Sequence, residues 1–448
     1  MRIVSGPHVS RRELLAAGAV AGAVLHLPGA AVAAPSAWTE RLDFSALGPG
    51  DGWPGWTCCG TANMRRADAL GLLEAGSDVF PCDPRPVAFA VDRRSRDLEI
   101  RAVVEAAGAG TGLVLRRVGP RDYYAAIYDN EQRALVLVRR GGPELDELAR
   151  VSFVGGSGPL RIAFSARGRG PTVLEATLEQ AGALPVTVRA RDAVPALQGP
   201  GDPGVLATAR TLFPSEGPPV LPALGNLHLL PYGVQEGQAI IGSPIGRPVL
   251  DTIRERSTAA FREITVTGSG RRLVTPPAVV AAVNGTPIRG GATLRVASDL
   301  PARVQIELAF DPAFKRSRLL PAERTNAFGA HLAPADGLPP GRRVYWRARL
   351  RRRGHETVGP VRSFRSLPAA GNSARTTLAI GSCAIQFGPI FDHITDRRPD
   401  VFVWQGDLNY PDTHGPLAQT LSGYAGIWRD FLANPRMGPL LQLSLIHI

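Results

Sequence analysis

Lysine is almost missing from this chain. Of the 51 basic residues only Lys315 is a lysine, so the formal net charge of +12 is carried by arginine. The arginines are dispersed along the chain rather than gathered in long blocks. We therefore expect a solvated, Arg-rich surface and no nucleic-acid regulator role. The alternative for such a surface is attraction of anionic substrates, polyanions or headgroups. Long apolar runs are also scarce. Past the N-terminus no stretch is long enough to cross a bilayer, so no stable membrane span is expected. Long helical patterns are rare too, because Gly and Pro are plentiful, at 50 and 40 residues. That composition favours turns and short strands. The length, 448 residues, allows about two to four domains.

The first residues carry the clearest local signal. Arg11 and Arg12 follow Ser10, then comes Leu14-Leu15 and a weakly apolar Ala/Gly run. Ala31-Val32-Ala33 has the form of a cleavage site. Residues 1–33 read as a twin-arginine signal peptide, which implies the twin-arginine export machinery and an extracytoplasmic location. A membrane anchor is the weaker alternative, since Pro28 interrupts a short, Gly-rich core. Cysteine is scarce, with four in all. In an oxidising compartment either Cys58 or Cys59 can bond Cys82, and the sequence leaves open which. Cys383 lies far from the others, and its plain explanation is a small buried residue.

Residues 38–268 have the rhythm of an antiparallel sandwich. DLEIRAVVEA alternates Leu98, Ile100, Ala102 and Val104 on one side, and GTGLVLRR, DYYAAIYD and RALVLVRR follow as short strands. GVLATARTLF is a further strand candidate in an otherwise Pro/Gly-rich stretch. The region resembles concanavalin- or laminin-G-like jelly-roll modules, which implies either a sugar-binding or an accessory structural role. Tyr123, Tyr124 and Tyr128 are either platform aromatics or packing residues. Residues 271–367 form a second unit of this kind. In RVYWRARLRRRG, Val344, Trp346, Ala348 and Leu350 share one face, and Arg347, Arg349 and Arg351 the other. A small immunoglobulin- or fibronectin-like sandwich is expected there, with the arginine ladder as a solvated face.

After a linker at 367–375 the pattern changes. TTLAIGSC reads as a strand ending at Cys383, PIFDHITDRRPD as a short helix, and VFVWQGD as a continuously apolar strand ending at Asp407. The expected fold is therefore mostly β: two antiparallel sandwiches followed by the first βαβ unit of an α/β domain, at 376–448. In a right-handed βαβ unit both strands are parallel and their carboxyl ends share one edge, where α/β proteins bind ligands. Cys383, Asp407 and Tyr410 can converge there as thiolate, carboxylate and phenol, a donor set suited to metal. Gly406 leaves room beside Asp407. The plain alternative makes Asp407 a loop cap and Tyr410 a packing residue. His393 and His414 read as surface histidines.

GSCAIQFGPIFDHI followed by PDVFVWQGDLNYPD resembles the opening of the alkaline phosphatase D (PhoD-like) metallophosphatases. FDPAFKRS, GLPPGRRVYWRARL and GPVRSFRS resemble the sandwich that precedes that domain in the same family. The likeness runs from Arg271 to Leu441. It implies a phosphomonoesterase or phosphodiesterase that uses iron (Fe3+) and calcium (Ca2+) on a phosphate ester substrate. Cys383, Asp407 and Tyr410 match the family's iron ligands, and Asp407, the catalytic residue, also bridges to calcium. Asn409 departs from the apolar residue usual in its slot. The family's further Asp, Asn and His ligands are expected beyond this point. The 448-residue chain is thus expected to be C-terminally truncated, poorly folded beyond Arg375 and inactive, with LQLSLIHI continuing no usable pattern. The alternative is a non-enzymatic exported protein whose sandwiches bind cell-surface carbohydrate or polyanion.

Overall fold

The computed structural model describes residues 37–59, 62–75, 87–119, 121–141, 144–208, 257–372, 375–382, 390–406, 421–433, 440 and 444–447. The expected signal peptide, Cys82 and most of the stretch after Thr208 lie outside these residues, and so does any pairing of Cys82 with Cys58 or Cys59. Among the described residues the chain is mostly strand, as its composition predicts, and no helix is long and apolar enough to cross a membrane.

The first sandwich is built from a nine-stranded and a seven-stranded sheet. Its ends are tied together. The opening strand, Ala37–Asp43, pairs antiparallel with the closing strand, Ser257–Ser269, from Ala37 opposite Ser269 to Asp43 opposite Glu263. Period-two alternation places Leu98, Ile100, Ala102 and Val104 inward from the larger sheet. They meet Leu113, Leu115, Tyr124, Ala126, Leu135 and Leu137 from the smaller one. GVLATARTLF contributes to the strand Asp202–Thr208.

The seven-stranded sheet does not alternate in burial. Strands Asp122–Asp129 and Asp202–Thr208 are buried on both faces. The outer face gathers Val87, Phe89, Val114, Tyr123, Ala125, Ile127, Val136 and Val138, joined by Leu300 from the following region. A sheet covered on both sides reads as a continuous apolar run, and DYYAAIYD is such a run.

The second antiparallel region begins at Val279 and pairs a three-stranded with a six-stranded sheet. The strand Arg343–Arg352 alternates as expected, with Val344, Trp346, Ala348 and Leu350 fully buried. The return is made in two pieces, His355–Val358 and Arg362–Arg365, which pair with successive halves of that same strand.

A buried polar network joins the two regions. Arg117 lies 3.5 Å from Asp202 and 3.3 Å from Asp299, with all three side chains almost fully buried. Thr275 donates to Asp202 over 2.7 Å and accepts from the Asp92 amide over 2.8 Å. Arg352 closes the set on Asp92 at 2.6 and 3.0 Å.

Beyond Arg375 the described residues hold one strand more than the expected βαβ unit. A three-stranded parallel sheet forms from Leu378–Gly381, Val401–Trp404 and Ser444–His447, in that order. The last strand comes from the segment that continued no visible pattern. This sheet borrows a second layer. Ala281, Val283 and Ala297 of the second sandwich cluster with Phe391, Phe402, Trp404, Phe431 and Leu432. A neighbour's outer face thus replaces the core that so short a sheet cannot build by itself.

Candidate active site at the parallel strand ends

Leu378–Gly381 and Val401–Trp404 are adjacent and parallel, paired from Leu378 opposite Val401 to Gly381 opposite Trp404. The Gln405 amide donates to the Gly381 carbonyl over 2.9 Å, so the pairing reaches the last residue of both strands. The helix expected after Pro389 is Ile390–Asp396, closed by Thr395 donating to the Phe391 carbonyl over 2.7 Å. Asp400 then accepts from the Thr377 amide over 2.9 Å, which aligns the start of the second strand with the first.

Two glycines shape this edge. Gly406 has φ +106°, a conformation that side-chain-bearing residues avoid, and the space where its Cβ would stand is open. A Cβ on Gly381 would come 3.0 Å from the tip of the Phe402 ring, so a larger residue there would make the ring give by a few tenths of an ångström. Phe402 and Trp404 pack at 5.1 Å, and Trp404 contacts Phe431 at 6.3 Å. This aromatic cluster anchors the strand that leads to Asp407. Trp404 Nε1 is buried without a hydrogen-bond partner.

Cys383, Asp407 and Tyr410 themselves lie outside the described residues, as do Asn409 and His414. What is described is the frame: Ser382 and Gly406, their immediate predecessors, leave neighbouring strands at the same carboxyl edge. Among the described residues no group of three or more His, Cys, Asp or Glu is placed to hold a metal. His393 is exposed on its helix.

The tyrosines singled out as platform aromatics are packing residues. Tyr123 and Tyr124 have no exposed surface and Tyr128 has 5%. The Tyr124 hydroxyl donates to Asp192 over 2.6 Å, and burial pushes its pKa far up. They alternate between two buried faces, so none can stack on a sugar. The arginine ladder binds its own carboxylates. Arg347 and Arg349 meet Glu307 at 2.7 and 2.9 Å, and Arg349 and Arg351 meet Glu356 at 2.6 and 2.5 Å.

No protein-family model matches the sequence, and no curated protein does. Among solved structures the chain is similar to PhoD, with TM-score 0.33, 20% identity and 38% of each chain covered. It is also similar to the carbohydrate-binding module CBM66 from Bacillus subtilis, with TM-score 0.27 and 12% identity over 34% of this chain and 88% of that one. The β-glucanase of Bacillus licheniformis matches with TM-score 0.26 and 10% identity, over 51% of this chain and 97% of that one. The chain spans 38% of the length of the PhoD chain.

Proposed function

We propose that this chain is the exported N-terminal part of a metal-dependent phosphomonoesterase or phosphodiesterase of the alkaline phosphatase D type. The observation that carries the reading is the strand frame: two adjacent parallel strands end in register, one running into Ser382-Cys383 and the other into Gly406-Asp407. Adjacent strands lie about 4.8 Å apart. A thiolate and a carboxylate that follow such neighbours within three residues of their ends can share one ion. The left-handed backbone at Gly406 supports the same reading, because it turns the chain sharply just before the acid.

In this reading Cys383, Asp407 and Tyr410 would hold iron, and Asp407 would also serve as a ligand to calcium. Bound there, the ions would supply Lewis acidity to a phosphoryl group. Gly406, with open space where a Cβ would stand, would leave the approach beside Asp407 free of a side chain. The alternative, a non-enzymatic binder of cell-surface carbohydrate or polyanion, loses its aromatic platform at Tyr123, Tyr124 and Tyr128 and its free arginine ladder.

The test uses the complete gene product, its iron and calcium content, and hydrolysis of p-nitrophenyl phosphate. Asp407→Asn and Cys383→Ala should each deplete iron and lower turnover about a hundredfold, while far-ultraviolet circular dichroism stays unchanged. Normal iron content in both variants would overturn the assignment, whatever the activity.

A further inference from the structure

One face of the helix Leu421–Ala433 does not close against the second sandwich. Between Tyr424, Trp428 and Arg429 on the helix and Arg295, Asn326 and Phe328 opposite lies a cavity of about 460 Å³. That is the size of small-molecule pockets. Its composition is lopsided: two guanidinium groups and three aromatic rings, with no carboxylate in the described wall.

Arg295 is the informative residue. It stands on the strand Gly291–Ser298, at the centre of the three-stranded sheet, and is half-buried. Among the described residues no hydrogen bond or ion pair engages it. Its contact is the Trp428 ring, with the guanidinium carbon 5.7 Å from the centroid, near the outer limit of a cation–π interaction. Burial lowers its pKa, and among the described residues no acidic neighbour opposes the shift. Other arginines that leave bulk water have polar partners: Arg117 and Arg352 meet carboxylates, Arg116 donates to Thr172 and to backbone carbonyls, and Arg362 donates to the Ala282 carbonyl. A charge withdrawn from water without a partner weighs against folding. Arg429 adds a second positive group, held only loosely by the Cys58 carbonyl at 3.4 Å. The Asn326 Oδ1 is taken up by the Phe328 and Ala330 amides at 3.0 and 2.9 Å, which leaves its amide NH₂ as a donor.

We propose that this cavity binds a small organic anion with a flat apolar body. The anionic group meets Arg295 and Arg429, and the body lies against Trp428, Tyr424 and Phe328. The ligand then supplies the counter-charge that the fold withholds from Arg295. This inference does not depend on the phosphoesterase reading, because it uses neither Cys383, Asp407 nor Tyr410.

Isothermal titration calorimetry on the 448-residue chain tests it with three probes. 2-Naphthoate carries both features, 2-naphthamide keeps the rings without the charge, and acetate keeps the charge without the rings. 2-Naphthoate should bind saturably, at least about tenfold more tightly than either of the others. Arg295→Met and Trp428→Ala should each weaken it by about tenfold or more, with Arg295→Lys recovering part of the loss. The Tm of Arg295→Met should equal or exceed that of the parent, which an arginine needed for the fold would not allow. If Arg295→Met does lower Tm, Arg429→Gln decides by the same tenfold criterion. Absent saturation, equal affinity for 2-naphthamide, or unchanged affinity in the arginine variants would overturn the proposal.

Discussion

Arg117 and Arg295 are both drawn out of bulk water, in opposite circumstances. Arg117, at the junction of the two sandwiches, lies between Asp202 and Asp299 and stacks on Phe89 with its guanidinium carbon 3.6 Å from the ring centroid. Arg295, in the wall of the cavity, has a single aromatic ring at 5.7 Å. The first arrangement is a charge-paired network whose members depend on one another. The second is an open valence. Burial alone therefore does not tell a structural arginine from one that awaits a ligand; the partners do.

The largest effect should come from breaking the charge-paired side. Arg117→Met leaves two buried carboxylates without their cation and should cost about 3–5 kcal/mol in urea denaturation. A loss below about 1 kcal/mol would show that the two regions are not locked by this network. The same junction carries a pH signature. Burial raises the Asp202 pKa from 3.8 to about 6, against the pull of Arg117 and Arg94. The folded state holds this proton more tightly than the unfolded state does. The contribution is therefore fully present below the unfolded pKa and is lost as pH rises through about 6. The shift corresponds to about 3 kcal/mol. Asp202→Asn should flatten that slope, and an identical slope in the variant would contradict the assignment.

A smaller effect is expected on the arginine ladder. Hydrogen bonds from Arg347, Arg349 and Ser317 hold the Glu307 pKa down to about 2 against burial. Its contribution is present above the ordinary carboxylate range and is lost as pH falls through about 2. Glu307→Gln should cost about 1–2 kcal/mol at neutral pH by thermal melting, with the difference shrinking towards pH 2. The smallest effect closes the comparison. Arg295→Met should change stability by no more than about 1 kcal/mol, and in the favourable direction, because it removes an uncompensated charge. A large loss there would erase the contrast with Arg117.

Much of the strand content was legible. Val344, Trp346, Ala348 and Leu350 are buried where alternation placed them, and the apolar run VFVW became a strand covered by aromatic side chains. The helix after Pro389 and its parallel neighbours followed from length and punctuation. The sequence left Tyr123, Tyr124 and Tyr128 open between platform and packing, because alternation marks one buried face and the seven-stranded sheet has two. The last strand was missed for a related reason. Ser444–His447 is too short to show a period, and it is held by pairing with Val401–Trp404.

By itself, then, the sequence determined which segments become strands, which faces are apolar, and which acid and thiol follow the two parallel strands. Those features follow from neighbours along the chain, and periodicity records them. Only the tertiary structure decided that Arg117 is matched by Asp202 and Asp299, that Arg295 has no such match among the described residues, and that the parallel sheet rests on the second sandwich. Such matches join residues far apart in the chain. They depend on which surfaces meet, and no local pattern of residues carries that information.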